Sequence, residues 1–145
     1  MRRIWILAAT AVLSVGSVIA DNERPIAFEQ LPHQAKNLIT KDFADAKLLH
    51  ATEEPRALGS EYDVVLDDGT KIEFGHNGEW REIKRRGKAV PSSLVPKKIV
   101  SYVNSKYPQG IIIGLERENG GYEVKLNTGI ELTFNANLHC VDTDF

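Results

Sequence analysis

Residues 62–74 read YDVVLDDGTKIEF, and residues 122–134 read YEVKLNTGIELTF. Most of this chain is therefore one small unit written twice. Within each copy the alternation is that of a strand. Tyr62, Val64 and Leu66 point one way and Asp63 and Val65 the other, as Tyr122, Val124 and Leu126 oppose Glu123 and Lys125. Asp68-Gly69, Thr128-Gly129 and Asn77-Gly78 each offer a glycine suited to the positive φ of a tight hairpin. Asp68 reads as a turn residue chosen for its tolerance of left-handed backbone.

Upstream of each strand pair lies a helical pattern. Leu31, Ala35, Leu38, Ile39 and Phe43 recur as Val95, Ile99, Tyr102, Val103 and Tyr107, at spacings that gather them on one helix face. Pro32 and Pro96 fall near the helix starts, where a missing N–H is harmless. Residues 26–30 and 91–94 read as short preceding turns. The helices match at an offset of sixty-four residues and the strands at sixty, so four residues must be absorbed in the Pro/Gly-containing stretch around residues 54–59. Connections absorb such changes and packed elements do not.

The strands predicted in the first copy are 47–53, 61–66, 71–74 and 80–84. Those in the second are 110–118, 121–126, 130–135 and 138–143. The fold class is α+β, a tandem repeat in which a helix precedes a four-stranded antiparallel meander, with the helices packed on one face of the sheet.

Residues 1–20 begin with Arg2-Arg3, continue with an apolar run and end in Val18-Ile19-Ala20. This is the pattern of a secretory signal, with cleavage expected after Ala20 and no stable membrane anchor left behind. The organisation expected is signal 1–20, first repeat 21–88 and second repeat 89–145, the two repeats forming one compact domain in the periplasm or outside the cell. Losing Arg2 and Arg3 takes the net charge from −2 to −4. A mildly acidic chain is a poor nucleic-acid binder. The basic run 84–88 reads as a solvated linker between the repeats.

No catalytic or metal constellation emerges. His33, His50, His76 and His139 share no short ligand spacing. Cys140 is the single cysteine, so no intramolecular disulfide forms and the thiol reads as a small apolar filler. His139 and Cys140 are adjacent in a predicted strand and point to opposite faces, which disfavours a shared ion. Asp67-Asp68-Gly69 lacks the alternating oxygen ligands of a calcium loop. The expectation is no enzyme, no cofactor and no metal.

The order Leu-Pro, amphipathic helix ending in an aromatic, Tyr-x-Val-x-Leu, Gly turn, strand ending in Phe, then Asn-Gly-x-Trp resembles the PepSY-like, β-lactamase-inhibitor-like family of small exported bacterial proteins. Leu31-Pro32, Phe43, Tyr62, Val64, Leu66, Gly69, Phe74, Asn77-Gly78 and Trp80 carry the resemblance in the first copy. Val95-Pro96, Tyr107, Tyr122, Val124, Leu126, Gly129 and Phe134 carry it in the second. The second copy departs where Asn137-Leu138-His139-Cys140 replaces Asn77-Gly78-Glu79-Trp80. The resemblance implies a periplasmic protein, and its inhibitory relative presents a sheet surface to its target.

A partner would then meet the more open sheet face. Alternation puts Asp63, Val65, Lys71, Glu73 and Arg81 there from the first copy, and Glu123, Lys125, Glu131 and Thr133 from the second. Trp80 joins the list as a tryptophan beside arginine, although a lid on the core is the stronger reading of it. The leading expectation is a non-enzymatic module that binds another exported protein, to inhibit or regulate it. The alternative is a sensor of a small ligand or envelope component, with its pocket between the repeats.

Overall fold

The computed structural model describes residues 22–145. The expected signal segment lies outside them. Nine strands follow in chain order: β1 (Arg24–Ile26), β2 (Leu48–Glu54), β3 (Glu61–Leu66), β4 (Lys71–Phe74), β5 (Trp80–Lys84), β6 (Ile112–Glu118), β7 (Gly121–Leu126), β8 (Glu131–Phe134) and β9 (Cys140–Asp144). Two helices, α1 (His33–Asp42) and α2 (Lys97–Lys106), are each preceded by a single 3-10 turn, Phe28–Gln30 and Ser92–Leu94. All nine strands form one antiparallel sheet in sequence order, with β5 and β6 joined by Glu82↔Glu116, Ile83↔Leu115 and Lys84↔Gly114.

The polar lead before the first helix holds a strand that alternation did not predict. Its three residues pair with β2 through Arg24↔Glu53, Pro25↔Thr52 and Ile26↔Ala51. A segment this short carries no readable period. Pro25, with no N–H to donate, suits the edge position.

Cross-strand register aligns one row through the whole sheet, apolar from Ile26, Ala51, Val64, Ile72, Ile83, Leu115 and Val124 to Leu132 and closed by Thr143. Both helices pack over this face. Ala35 and Ile39 from α1, with Ile99 and Val103 from α2, are buried in a single cluster with Val64, Ile72, Ile83, Leu115, Val124 and Leu132. Phe43 and Leu31, just outside α1, close its ends and are buried as well.

The β2–β3 connection spans residues 55–60, whereas β6 and β7 are joined by Asn119 and Gly120 alone, at φ of 49° and 78°. The four extra residues thus fall at the Pro/Gly stretch. Gly69, Gly78 and Gly129 take φ of 85°, 83° and 92°, as their turns require. Asp68 is not left-handed: its carboxylate accepts the Thr70 amide at 2.9 Å and fixes the turn from the side.

Two predicted strand starts move inward by two residues. Gly110 donates its N–H to the Tyr107 carbonyl at 2.8 Å, and that turn delays β6 to Ile112. Leu138 holds φ of 62° inside a turn, so β9 begins at Cys140.

The basic run is not a solvated linker throughout. Lys84 ends β5, and Arg85 folds inward, its Nη2 2.8 Å from Asp68 Oδ2 and its Nη1 donating to the Ala89 carbonyl at 2.8 Å. The Arg85 guanidinium also lies 5.3 Å from the centre of the Phe43 ring. Burial raises the Asp68 carboxyl, but the Thr70 hydroxyl and amide and Arg85 together hold it well below the usual carboxylate range.

Candidate functional site

The face of the sheet opposite the helices is lined by residues one step out of phase with the core. Its central row runs Pro25, Thr52, Asp63, Glu73, Glu82, Glu116, Glu123, Thr133 and Asp142. Five carboxylates stand side by side on the five adjacent strands β3 to β7. At the spacing of neighbouring strands they occupy a band about 19 Å long.

Such a row is self-repulsive, and the titration behaviour of its members follows. Burial first, then Glu82 and Asp63, push Glu73 up to about 7. Burial, Glu82, Glu118 and Glu123 do the same for Glu116, also to about 7. Asp63 is raised by burial and by the surrounding carboxylates Glu23, Glu54, Glu61 and Glu82. Lys84, whose Nζ lies 2.8 Å from Glu82 Oε1, partly offsets the repulsion at both Glu73 and Glu116.

A second row flanks the first: Val65, Lys71, Lys84, Gly114, Lys125, Glu131 and Asp144. Its first half is basic and its far end acidic. Asp63, Glu73, Glu123 and Thr133 therefore sit in the central row, and Val65, Lys71, Lys125 and Glu131 beside them, all on the face expected. Arg81 reaches the same face at a β-bulge in β5, where its Nη1 donates to Glu61 Oε1 at 2.7 Å.

Trp80 does not belong there. The bulge pairs it with Phe74 and turns it to the helix side, where it is 5% exposed. Arg117 stacks 3.9 Å from its ring centre and donates to its carbonyl at 3.2 Å. The lid reading of this tryptophan is the one realised. Cys140, at the matching position in β9, is half-buried against the core cluster. Hydrogen bonding to Cys140 heads the causes that raise Tyr102 to about 12.

Sequence reasoning missed Glu82, Glu116, Glu118, Asp142 and Asp144. The signal was available for most of them, because alternation within 80–84 and 110–118 sets Glu82 and Glu116 against the apolar Ile83 and Leu115. What no periodicity could supply was their alignment across separate strands. Glu116, Glu118 and Glu123 bring one carboxylate oxygen each within 4.8 Å of one another.

The far end of this face carries a depression of about 320 Å³. It lies over β7, β8 and β9, between Glu118, Glu123, Glu131, Val141, Asp142 and Asp144, and not at the β5–β6 seam where a pocket between repeats was expected.

A two-helix, nine-stranded α+β module with an open acidic face defines the class of protein. The chain belongs to the family described as "Putative beta-lactamase-inhibitor-like, PepSY-like", whose model matches residues 60–141. A periplasmic protein from Bacteroides thetaiotaomicron, described as "putative calcium-regulated", is 34% identical with a TM-score of 0.82, covering 87% of this chain and 99% of its own. A periplasmic protein of the DUF2874 family from Bacteroides vulgatus is 36% identical, with the same TM-score and coverage. A second Bacteroides vulgatus periplasmic protein, of unknown function, is 30% identical with a TM-score of 0.79, covering 85% and 99%. No functionally curated protein matches. Among the described residues no helix is long and apolar enough to cross a membrane.

Proposed function

We propose that this protein is an exported, non-catalytic binding module, built from two copies of one unit and released by cleavage after Ala20, whose open sheet face recognises a positively charged surface on another exported protein. The observation that carries this reading is the carboxylate row Asp63, Glu73, Glu82, Glu116 and Glu123. Like charges directly opposite one another destabilise a sheet. A row that opposes folding is accounted for when a cationic partner neutralises it, and complementary charge both steers and orients such encounters. The inhibitor-like family description fits the same sheet-surface mode.

The test is capture from the native envelope fraction with the wild-type chain and with a Glu73→Lys, Glu82→Lys, Glu116→Lys variant. A partner retained by the wild type and released by the variant, with the fold intact by circular dichroism, supports the proposal. Equal retention by both proteins sinks it.

One observation favours a second reading, a sensor of a divalent cation. Glu116, Glu118 and Glu123 offer converging hard oxygen donors, the ligand type that calcium takes, with water completing its six to eight positions. The Bacteroides thetaiotaomicron relative is described as calcium-regulated. A thermal midpoint that rises in millimolar calcium chloride and not in magnesium chloride, and that loses this response in Glu118→Gln, would favour the sensor.

A further inference from the structure

The two halves of the open face carry opposite answers to the same electrostatic problem. In the first half the chain supplies its own cations. Lys71, Arg81 and Lys84 stand among the carboxylates, with Arg81 paired to Glu61 at 2.7 Å and Lys84 to Glu82 at 2.8 Å. Strand register sets Trp80 opposite Phe74 and Cys140 opposite Phe134, so the positions that match Lys71, Arg81 and Lys84 are Glu131, Val141 and Asp144. Two cations have become anions, and the third has become a short apolar side chain.

The space follows the charge. The Arg81 side chain lies across Gly75, where an added Cβ would come 2.9 Å from Nε, and extends to Glu61. In the second half Asn135 and Gly121 take the places of Gly75 and Glu61, and both line the depression. The volume that the arginine side chain fills in the first half borders the depression in the second, while at Gly121 the Phe134 carbonyl stands where a side chain would begin. Among the described residues its walls include Glu131, Asp142 and Asp144 and no lysine or arginine, with Lys125 standing outside the lining opposite Glu131. At about 320 Å³ it stands at the small end of ligand-site volumes, a fit for one long side chain with water.

We propose that this depression seats the guanidinium of an arginine side chain presented by the partner protein, in the place that Arg81 occupies in the first half. The first half supplies the template: a planar guanidinium, with several donors in a fixed fork, already spans the matching site. Val141, 60% exposed at the rim, offers apolar contact to the arginine stem. This inference rests on the binding-face reading above and narrows it to one arginine and one end of the face.

The test is an NMR titration of the ¹⁵N-labelled protein, without its first twenty residues, using a short peptide of alternating glycine and arginine. The same peptide with citrulline keeps the shape and removes the charge. Saturable shifts at Glu123, Thr133 and Asp142 with arginine only, weakened about tenfold or more in Val141→Arg, are the expected result. That variant installs the first-half guanidinium and fills its own site. Because it replaces an exposed residue it folds, and a Glu131→Gln, Asp144→Asn variant with the same weakening checks the result without adding bulk.

Shifts confined to Asp63, Glu73 and Glu82 would overturn the proposal and leave the binding-face reading standing. The absence of shifts anywhere on the face with the arginine peptide would remove both. Calcium chloride that saturates the same three residues and displaces the peptide without needing Val141 open would also overturn it, in favour of a metal site.

Discussion

Glu82 and Glu116 face each other in register across the junction of β5 and β6, on the side of the sheet that the helices leave open. Their backbones hold the two halves together while their carboxylates repel. The apolar pair one residue away, Ile83 and Leu115, is fully buried on the opposite face and supplies the compensating attraction.

The acidic row makes stability fall as pH rises. Glu73 and Glu116 are raised from 4.5 to about 7 in the folded protein, so between those values the native state holds protons that the unfolded chain has released. Stability contributed by the neutral forms is complete below about pH 4.5 and lost through about pH 7. Both groups are half in solvent, and screening reduces the effect to roughly 1 kcal/mol each. Urea midpoints should be higher near pH 5 than near pH 7.5, and Glu73→Gln with Glu116→Gln should flatten that difference. A pH-independent midpoint in the wild type would contradict this account.

The seam is a place where one substitution should weaken the whole sheet. Ile83→Ala or Leu115→Ala each removes a fully buried side chain from the shared core and is expected to lower stability by about 3 kcal/mol. Since one cluster spans both halves, unfolding should stay a single transition, with fluorescence and circular dichroism coincident. Two separated transitions would mean that the halves fold alone.

Arg85 ties the first hairpin to the segment that leads into the second half. Its side chain and that of Asp68 are 14% and 11% exposed, so Arg85→Ala leaves a shielded carboxylate held by Thr70 and by Lys88 at 3.6 Å but without its closest cation. The expected loss is roughly 3 kcal/mol. Arg85→Lys should recover only part of it, because a lysine cannot reach Asp68, Thr70 and the Ala89 carbonyl together. As the Asp68 carboxyl is depressed in the fold, this contribution is present above the unfolded value near 3.9 and fades as pH falls below it. Denaturant titrations of the three proteins at neutral and acidic pH decide the point.

Leu138 and Gly78 hold matching turns at φ of 62° and 83°, each donating its N–H three residues back at 2.9 Å. Their tolerance to change should differ. A Cβ on Gly78 would come 2.8 Å from Pro32 Cβ and 2.9 Å from the Ala35 nitrogen, so Gly78→Ala meets both a left-handed backbone and the start of α1. A loss of about 2 kcal/mol or more is expected. Leu138→Gly should stay within about 1 kcal/mol of wild type, because relief of backbone strain offsets lost packing of a half-buried leucine. Thermal midpoints of the two variants give the comparison directly.

Much of this was legible in advance. Alternation in residues 61–66 and 121–126 gave the strands and their faces, and the glycine turns gave antiparallel neighbours. Strict alternation through 80–84 would set Trp80 beside Glu82 on the open face, but a β-bulge, one extra residue in β5, shifts the phase of everything before it and turns the ring to the core. Bulges leave no mark in a period-two pattern. Arg85 was read as solvated because its partners, Asp68, Thr70, Ala89 and Phe43, reach it only through the folded chain.

The sequence by itself determined the elements other than β1, their order, the buried face and the family likeness, because those follow from local spacing and from repetition along one chain. Only the tertiary structure decided that the halves share one continuous sheet, that five carboxylates line up across it, and that Glu131, Val141 and Asp144 stand on the same face as Lys71, Arg81 and Lys84. Those facts depend on which residue lies opposite which on a neighbouring strand. Register across strands is set by the packing of the whole core and not by any segment alone.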